Sequence, residues 1–167
     1  MEIKPLLLFD WGSTLMKEFT EYPGIMADWP RVEAFPGVDE TLARLQPDWR
    51  FCVASNADVS KEADIRYALR RANLEGWFES VYCFFNVGFK KPDPRYFLYI
   101  LKELDAQASQ AVMVGDDFVA DVLGANAAGL RAVWFNWKTT EEQNSPIYLT
   151  IHQFDHLPEA LKKLALK

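Results

Sequence analysis

The sequence predicts a doubly wound α/β domain with a mainly parallel central sheet. Three observations predict it: short apolar runs that do not alternate, helical patterns between them, and polar residues gathered where the runs end. The first run, residues 5–9 (PLLLF), stops at Asp10, and the second, 50–54 (RFCVA), stops at Ser55-Asn56. A third covers 81–85 (VYCFF), a fourth, 111–114 (AVMV), stops at Gly115-Asp116, and a fifth covers 131–135 (RAVWF). Four of the five lack strict alternation, as strands buried on both faces should. Helical patterns lie near 38–46, 59–74, 94–104 and 119–128. Pro36-Gly37 precedes the first, Pro94 starts the third, and Gly129 follows the last where a C-terminal glycine belongs. Alternation of this kind implies right-handed crossovers, and with no repeat or linker in view residues 1–167 are expected to form one domain.

The end of the chain adds little. YLTIHQFDHL (148–157) reads as a strand followed by a turn, and residues 157–166 as a short amphipathic helix that packs on the sheet. His152 and His156 have helical i, i+4 spacing but no helical context and no further ligand, so no metal role is assigned to them.

Composition narrows the function. At 167 residues and 50% hydrophobic, the chain fits one ordinary domain with a sizeable core. A net charge of −6 leaves no basic surplus to neutralise phosphates, so no nucleic-acid partner is expected. A small phosphorylated ligand needs only one or two local cations. The apolar start is too short for a signal peptide, and no stretch approaches the roughly 20 apolar residues of a membrane helix. A cytoplasmic protein without membrane contact is therefore expected. Cys52 and Cys83, each inside an apolar run, read as buried reduced thiols.

In open α/β sheets ligands bind beyond the carboxyl ends of the strands. Asp10, Ser55, Asn56 and Asp116 would meet there. Each taken singly has a plainer reading: strand-end aspartates form turns, Ser55-Asn56 and Asp116-Asp117 cap helices, and Lys91 is a surface lysine. Together they suit phosphoryl transfer. A phosphate ester and its nucleophile are both anionic, and a divalent cation bridging them relieves the repulsion. Asp10 would attack phosphorus and split one hard step into two.

Four segments carry a resemblance: LLLFDWGSTL (6–15), FCVASN (51–56), FKKPDPRYF (89–97) and VMVGDDFVADVLGANAAGL (112–130). In this order and at these strand ends they resemble the four motifs of the haloacid dehalogenase (HAD) superfamily. The resemblance implies a Rossmann-like core with Asp10 as nucleophile and Lys91, just before Pro92, as the neutralising cation. It implies a Mg²⁺ cofactor held by Asp10, the Gly12 carbonyl, Asp116 and Asp121, with phosphate contacts from Thr14, Ser55 and Asn56. A phosphorylated small molecule or macromolecule would be the substrate.

One position departs from the pattern. Family phosphatases carry a second aspartate, two residues after the nucleophile, as general acid and base; here it is Gly12. Such a group contributes about 10²–10⁴-fold in rate. Three readings follow: a phosphohydrolase using another proton donor (Asp117, Lys17 and Glu18 are candidates), a metal- and phosphate-binding pseudoenzyme, or a C–P hydrolase, whose first motif DWGST resembles. The last relies on a cap lysine, and residues 16–37 leave room for a flap only. Capless relatives act on macromolecules or borrow a neighbouring subunit as a lid, so an oligomer is an open expectation. The aromatic segment 19–35 is expected to pack on its own domain.

Overall fold

The computed structural model of the protein describes residues 3–164 and 166. Six parallel strands form one sheet: β1 (Leu6–Phe9), β2 (Arg50–Ala54), β3 (Ser80–Tyr82), β4 (Ala111–Gly115), β5 (Arg131–Phe135) and β6 (Tyr148–Ile151), in the order β3-β2-β1-β4-β5-β6. The chain winds outward from β1 to β3, returns to the other side of β1 at β4, and winds outward again to β6. The crevice beside β1 and β4 is thus the point where strand order reverses. Phe9 is level with Val53 on β2 and Val114 on β4, and the Asp10 amide donates to the Val114 carbonyl at 2.9 Å.

The two-residue period of the strands builds two cores from one apolar run. Leu7 and Phe9 face one layer together with Phe51, Val53, Val112 and Val114, whereas Leu6 and Leu8 face the other with Cys52, Ala54 and Met113. Helices α1 (Val38–Leu45), α2 (Glu62–Arg71) and the C-terminal α6 (Leu157–Leu164) cover the first layer. Helix α4 (Pro94–Glu103) and the segment ending in α5 (Gly124–Ala127) cover the second; the remaining helix, α3 (Phe84–Val87), is one turn. Phe9 is fully buried and packs against the rings of Phe51, Phe78 and Phe154 at centroid distances of 5.8–6.1 Å. Both cysteines are free and buried, and among the described residues no helix is long and apolar enough to cross a membrane.

Three expected boundaries are corrected. The third strand ends at Tyr82, not at residue 85, because the Asn86 side chain bonds the Cys83 amide (2.8 Å) and the Val81 carbonyl (2.9 Å) and starts the turn of α3. The helix expected over 59–74 spans Glu62–Arg71, opened by Asp64 accepting from the Lys61 amide at 2.8 Å. The helix expected over 119–128 begins as a π-helical turn, Phe118–Leu123, before α5. That wider turn coincides with Asp121, whose carboxylate points back to accept from the Asp117 amide at 3.0 Å. Of the C-terminal helix expected over 157–166, Ala165 lies outside the described residues.

Residues 10–37 form a flap instead of a cap. Met16 pairs with Ala34, and the Lys17 and Phe35 amides donate to the Glu33 and Leu15 carbonyls, so the intervening loop leaves and returns as a ribbon. Arg71 of α2 clamps that loop through the carbonyls of Ala27, Trp29 and Pro30 at 2.7–3.3 Å. Phe19, Tyr22 and Trp29 pack on one another, and Trp29 also packs on the core. Substituting Phe9→Ala removes the ring at the centre of the first core and is expected to cost about 3–5 kcal/mol, read from urea unfolding.

Candidate active site

Asp10 leaves β1, Ser55 leaves β2 and Asp116 leaves β4, so three strand ends deliver polar groups to one edge. They line a pocket of about 430 Å³ whose other walls include Gly12, Glu18, Asn56, Lys91, Asp121 and Lys138, with Ile25, Met26 and Trp29 from the flap loop.

Lys91 is the centre of the arrangement. Its side chain is 2% exposed, and its ammonium donates to Asp121 Oδ1 at 2.7 Å, the Ala54 carbonyl at 2.7 Å and Asp10 Oδ1 at 3.1 Å. All three donors of the ammonium are therefore used. Burial pulls its pKa down, but the Asp10 and Asp121 carboxylates outweigh burial and hold it above the ordinary lysine value. The Asn56 side chain fixes the lysine's backbone from both sides, accepting from the Lys91 amide at 2.8 Å and donating to the Lys91 carbonyl at 2.9 Å.

The carboxylates are crowded. One oxygen each of Asp10, Asp116 and Asp121 lie within 4.8 Å of one another. Burial raises Asp121 to about 7 despite its contact with Lys91, and raises Asp116 to about 6 despite Lys138, with the Asp10 charge adding to both. Gly115 makes the Asp121 position available: a Cβ there would overlap the Asp121 carboxyl group. Thr14, fully buried, shares its hydroxyl proton between Asp10 Oδ2 and Asp116 Oδ1, both at 3.3 Å, and accepts from the Asp116 amide at 3.1 Å.

A family model for haloacid dehalogenase-like hydrolases matches residues 12–129. The chain belongs to that family. It is 33% identical over 131 residues to the ribulose-1,5-bisphosphate 5-phosphatase of Halopiger xanaduensis, covering 77% of this chain and 54% of that protein. It is 32% identical over 114 residues to the glyceraldehyde 3-phosphate phosphatase of Methanothermobacter thermautotrophicus, covering 68% and 49%. The chain thus spans about half the length of the curated relatives it matches. An uncharacterized protein from Listeria monocytogenes serotype 4b has a solved structure that superposes with a TM-score of 0.80 at 26% identity, over 96% of this chain and 98% of that one.

Within this HAD-like core, the structure brings Asp10, Lys91, Asp116 and Asp121 into one cluster and Gly12, Ser55 and Asn56 onto the pocket wall. Thr14 sits behind the carboxylates, and Asn56 is occupied with Lys91. Two residues on the loop after β5 escaped sequence reasoning. Lys138 donates to Asp116 Oδ2 at 2.8 Å, and the Trp137 indole donates to the Ser13 carbonyl at 2.8 Å, tying that loop to the turn after β1. Only the position of that loop beyond a strand end hints at them.

Replacing Lys91 by Met would leave Asp10 and Asp121 buried without their shared cation. We expect Lys91→Met to lose about 3–5 kcal/mol of stability. Adding Asp121→Asn should recover a measurable part of it, because one uncompensated charge disappears; urea midpoints of the two variants test this.

Proposed function

We propose that the protein hydrolyses a phosphate monoester through a phosphoryl intermediate on Asp10, in the cytoplasm. The observation that carries this reading is the buried Lys91 ammonium held against Asp10 in the floor of an open pocket. Lys91 pairs with one carboxylate oxygen of Asp10, whose side chain is 14% exposed and lines the pocket. In the first half-reaction an Asp10 oxygen attacks phosphorus, the bond to the leaving oxygen breaks, and that oxygen takes a proton. In the second, water attacks the same phosphorus, the bond to Asp10 breaks, and phosphate leaves. Lys91 offsets the repulsion between carboxylate and phosphate, and the strand-end backbone orients both.

The donor set fits a hard divalent cation. Asp10, Asp116 and the Gly12 carbonyl would ligate Mg²⁺, and Asp121 would orient it or its water. Burial resists ionisation of Asp116 and Asp121, and a dication supplies the missing positive charge. When bound it polarises the phosphoryl oxygens. Ser55 accepts from the Ala57 amide at 3.0 Å, which leaves its hydroxyl proton for a phosphate oxygen. Thr14 serves the carboxylates instead, and Asn56 acts by holding Lys91.

A pocket of about 430 Å³ walled partly by Ile25, Met26 and Trp29 suits a small phosphorylated metabolite with an apolar portion. The names of the two phosphatase relatives support that class. Free buried thiols suit a reducing compartment.

A panel of phosphate monoesters, assayed with and without Mg²⁺, tests the reading. Turnover should require the ion and fall to background in Asp10→Asn. Mg²⁺ should also raise the thermal midpoint of the wild type and raise it less in Asp116→Asn. Ion binding without any turnover would make the protein a metal- and phosphate-binding pseudoenzyme.

A further inference from the structure

The turn after β1 lacks the family's second aspartate, yet its place is not empty. A Cβ built on Gly12 would stand 3.0 Å from the Glu18 carboxyl carbon and overlap its Oε1. The Glu18 carboxylate therefore occupies the volume that an aspartate side chain at residue 12 would enter. It lines the same pocket as Asp10 and Lys91, and Ser13 holds it there by donating to Glu18 Oε2 at 2.8 Å. Glu18 comes from the first strand of the flap ribbon, where Met16 pairs with Ala34. Its longer side chain reaches back over the glycine.

The other two candidates are engaged elsewhere. Lys17 pairs with Glu33 and does not line the pocket. Asp117 lines it, but its carboxylate accepts from the Ala120 amide at 2.8 Å as the cap of the π-helical turn.

We infer that Glu18 is the general acid and base of this site, a role that rests on the phosphatase reading. In the first half-reaction Asp10 forms a bond to phosphorus, the bond from phosphorus to the leaving oxygen breaks, and the Glu18 carboxylic acid gives that oxygen its proton. In the second, Glu18 carboxylate takes a proton from water as the water oxygen bonds phosphorus and the bond to Asp10 breaks. Glu18 ends protonated again, and the sum is ester plus water to alcohol plus phosphate. Gly12 is then the residue that makes room for Glu18.

The test compares wild type, Glu18→Gln, Glu18→Ala, Ser13→Ala and the Gly12→Asp/Glu18→Ala double variant on an alkyl phosphate and on p-nitrophenyl phosphate. Glu18→Gln should lower alkyl-phosphate turnover by about 10²-fold or more. p-Nitrophenolate leaves without a proton, so with that ester the variant should release one burst and accumulate phosphoenzyme, trapped by acid quench and seen by mass spectrometry. Ser13→Ala keeps the carboxylate and removes only its tether, so it should lose less activity than Glu18→Gln and accumulate no phosphoenzyme. Gly12→Asp in the Glu18→Ala background should restore turnover over Glu18→Ala alone, since the aspartate enters the vacated volume. An active wild type matched by Glu18→Gln on both esters overturns the assignment alone. So does an equal loss in Ser13→Ala and Glu18→Gln without phosphoenzyme, which would make Glu18 a brace for the turn. A wild type that neither turns over nor forms phosphoenzyme overturns the phosphatase reading and this assignment with it.

Discussion

The Lys91 ammonium gives one proton to Asp121, one to Asp10 and one to the Ala54 carbonyl, and each of those acceptors belongs to a different part of the chain. Bringing them together requires the ends of β1 and β2, the loop before α4 and the π-helical turn to meet within hydrogen-bond distance. Two glycines permit it. A side chain at Gly115 would overlap Asp121, and a Cβ at Gly124 would stand 2.8 Å from Pro92 Cα, pushing on the residue beside Lys91. Leaving such an ion unpaired in the interior costs several kcal/mol, a large share of the roughly 5–15 kcal/mol that holds a domain folded. The site chemistry and the stability of the core are therefore one problem with one solution.

Burial and the crowding of like charges set the electrostatic character of the pocket. Three carboxylates crowd against two ammonium groups, and burial disfavours a full complement of negative charge. Thr14 and the Asp116 amide tie the two strand-end aspartates together without adding charge. On the phosphatase reading proposed above, a dication would supply the remaining positive charge and the resulting balance would admit a phosphate. The strand reversal beside β1 makes this affordable in space, since loops from β1 and β4 diverge there and leave a crevice.

The elements legible in the sequence were those whose residues answer to local rules. Strands β1, β2, β4 and β5 announce themselves because both of their faces are buried, and Asp10 and Asp116 stand out as the first polar residues after an apolar run. The third strand was overread because Phe84 and Phe85 look like strand, while the deciding interaction is the Asn86 amide reaching back to Cys83. The π-helical turn was illegible for a related reason: its width goes with the tertiary contacts of Asp121. The Thr14 hydroxyl lies behind the carboxylates and the Asn56 side chain clasps Lys91, contacts made across the chain that no local pattern announces. Lys138 and Trp137 lie after β5, so nothing in their own neighbourhood points to Asp116 or Ser13.

Glu18 belongs to the same class of tertiary fact, and it links the missing aspartate to the missing cap. A flap ribbon leaves the turn after β1 directly, so the first outward-facing acid on its strand lies within reach of Gly12. The same ribbon carries the loop whose Ile25, Met26 and Trp29 wall the pocket, and Arg71 anchors that loop to α2. One short segment thus supplies both the apolar wall of the pocket and the acid that lies over Gly12. A pocket so arranged stays open to solvent on one side. Ser13 and the ribbon together set where that one exposed carboxylate lies, so the local order of the flap decides the shape and charge of the pocket above Gly12.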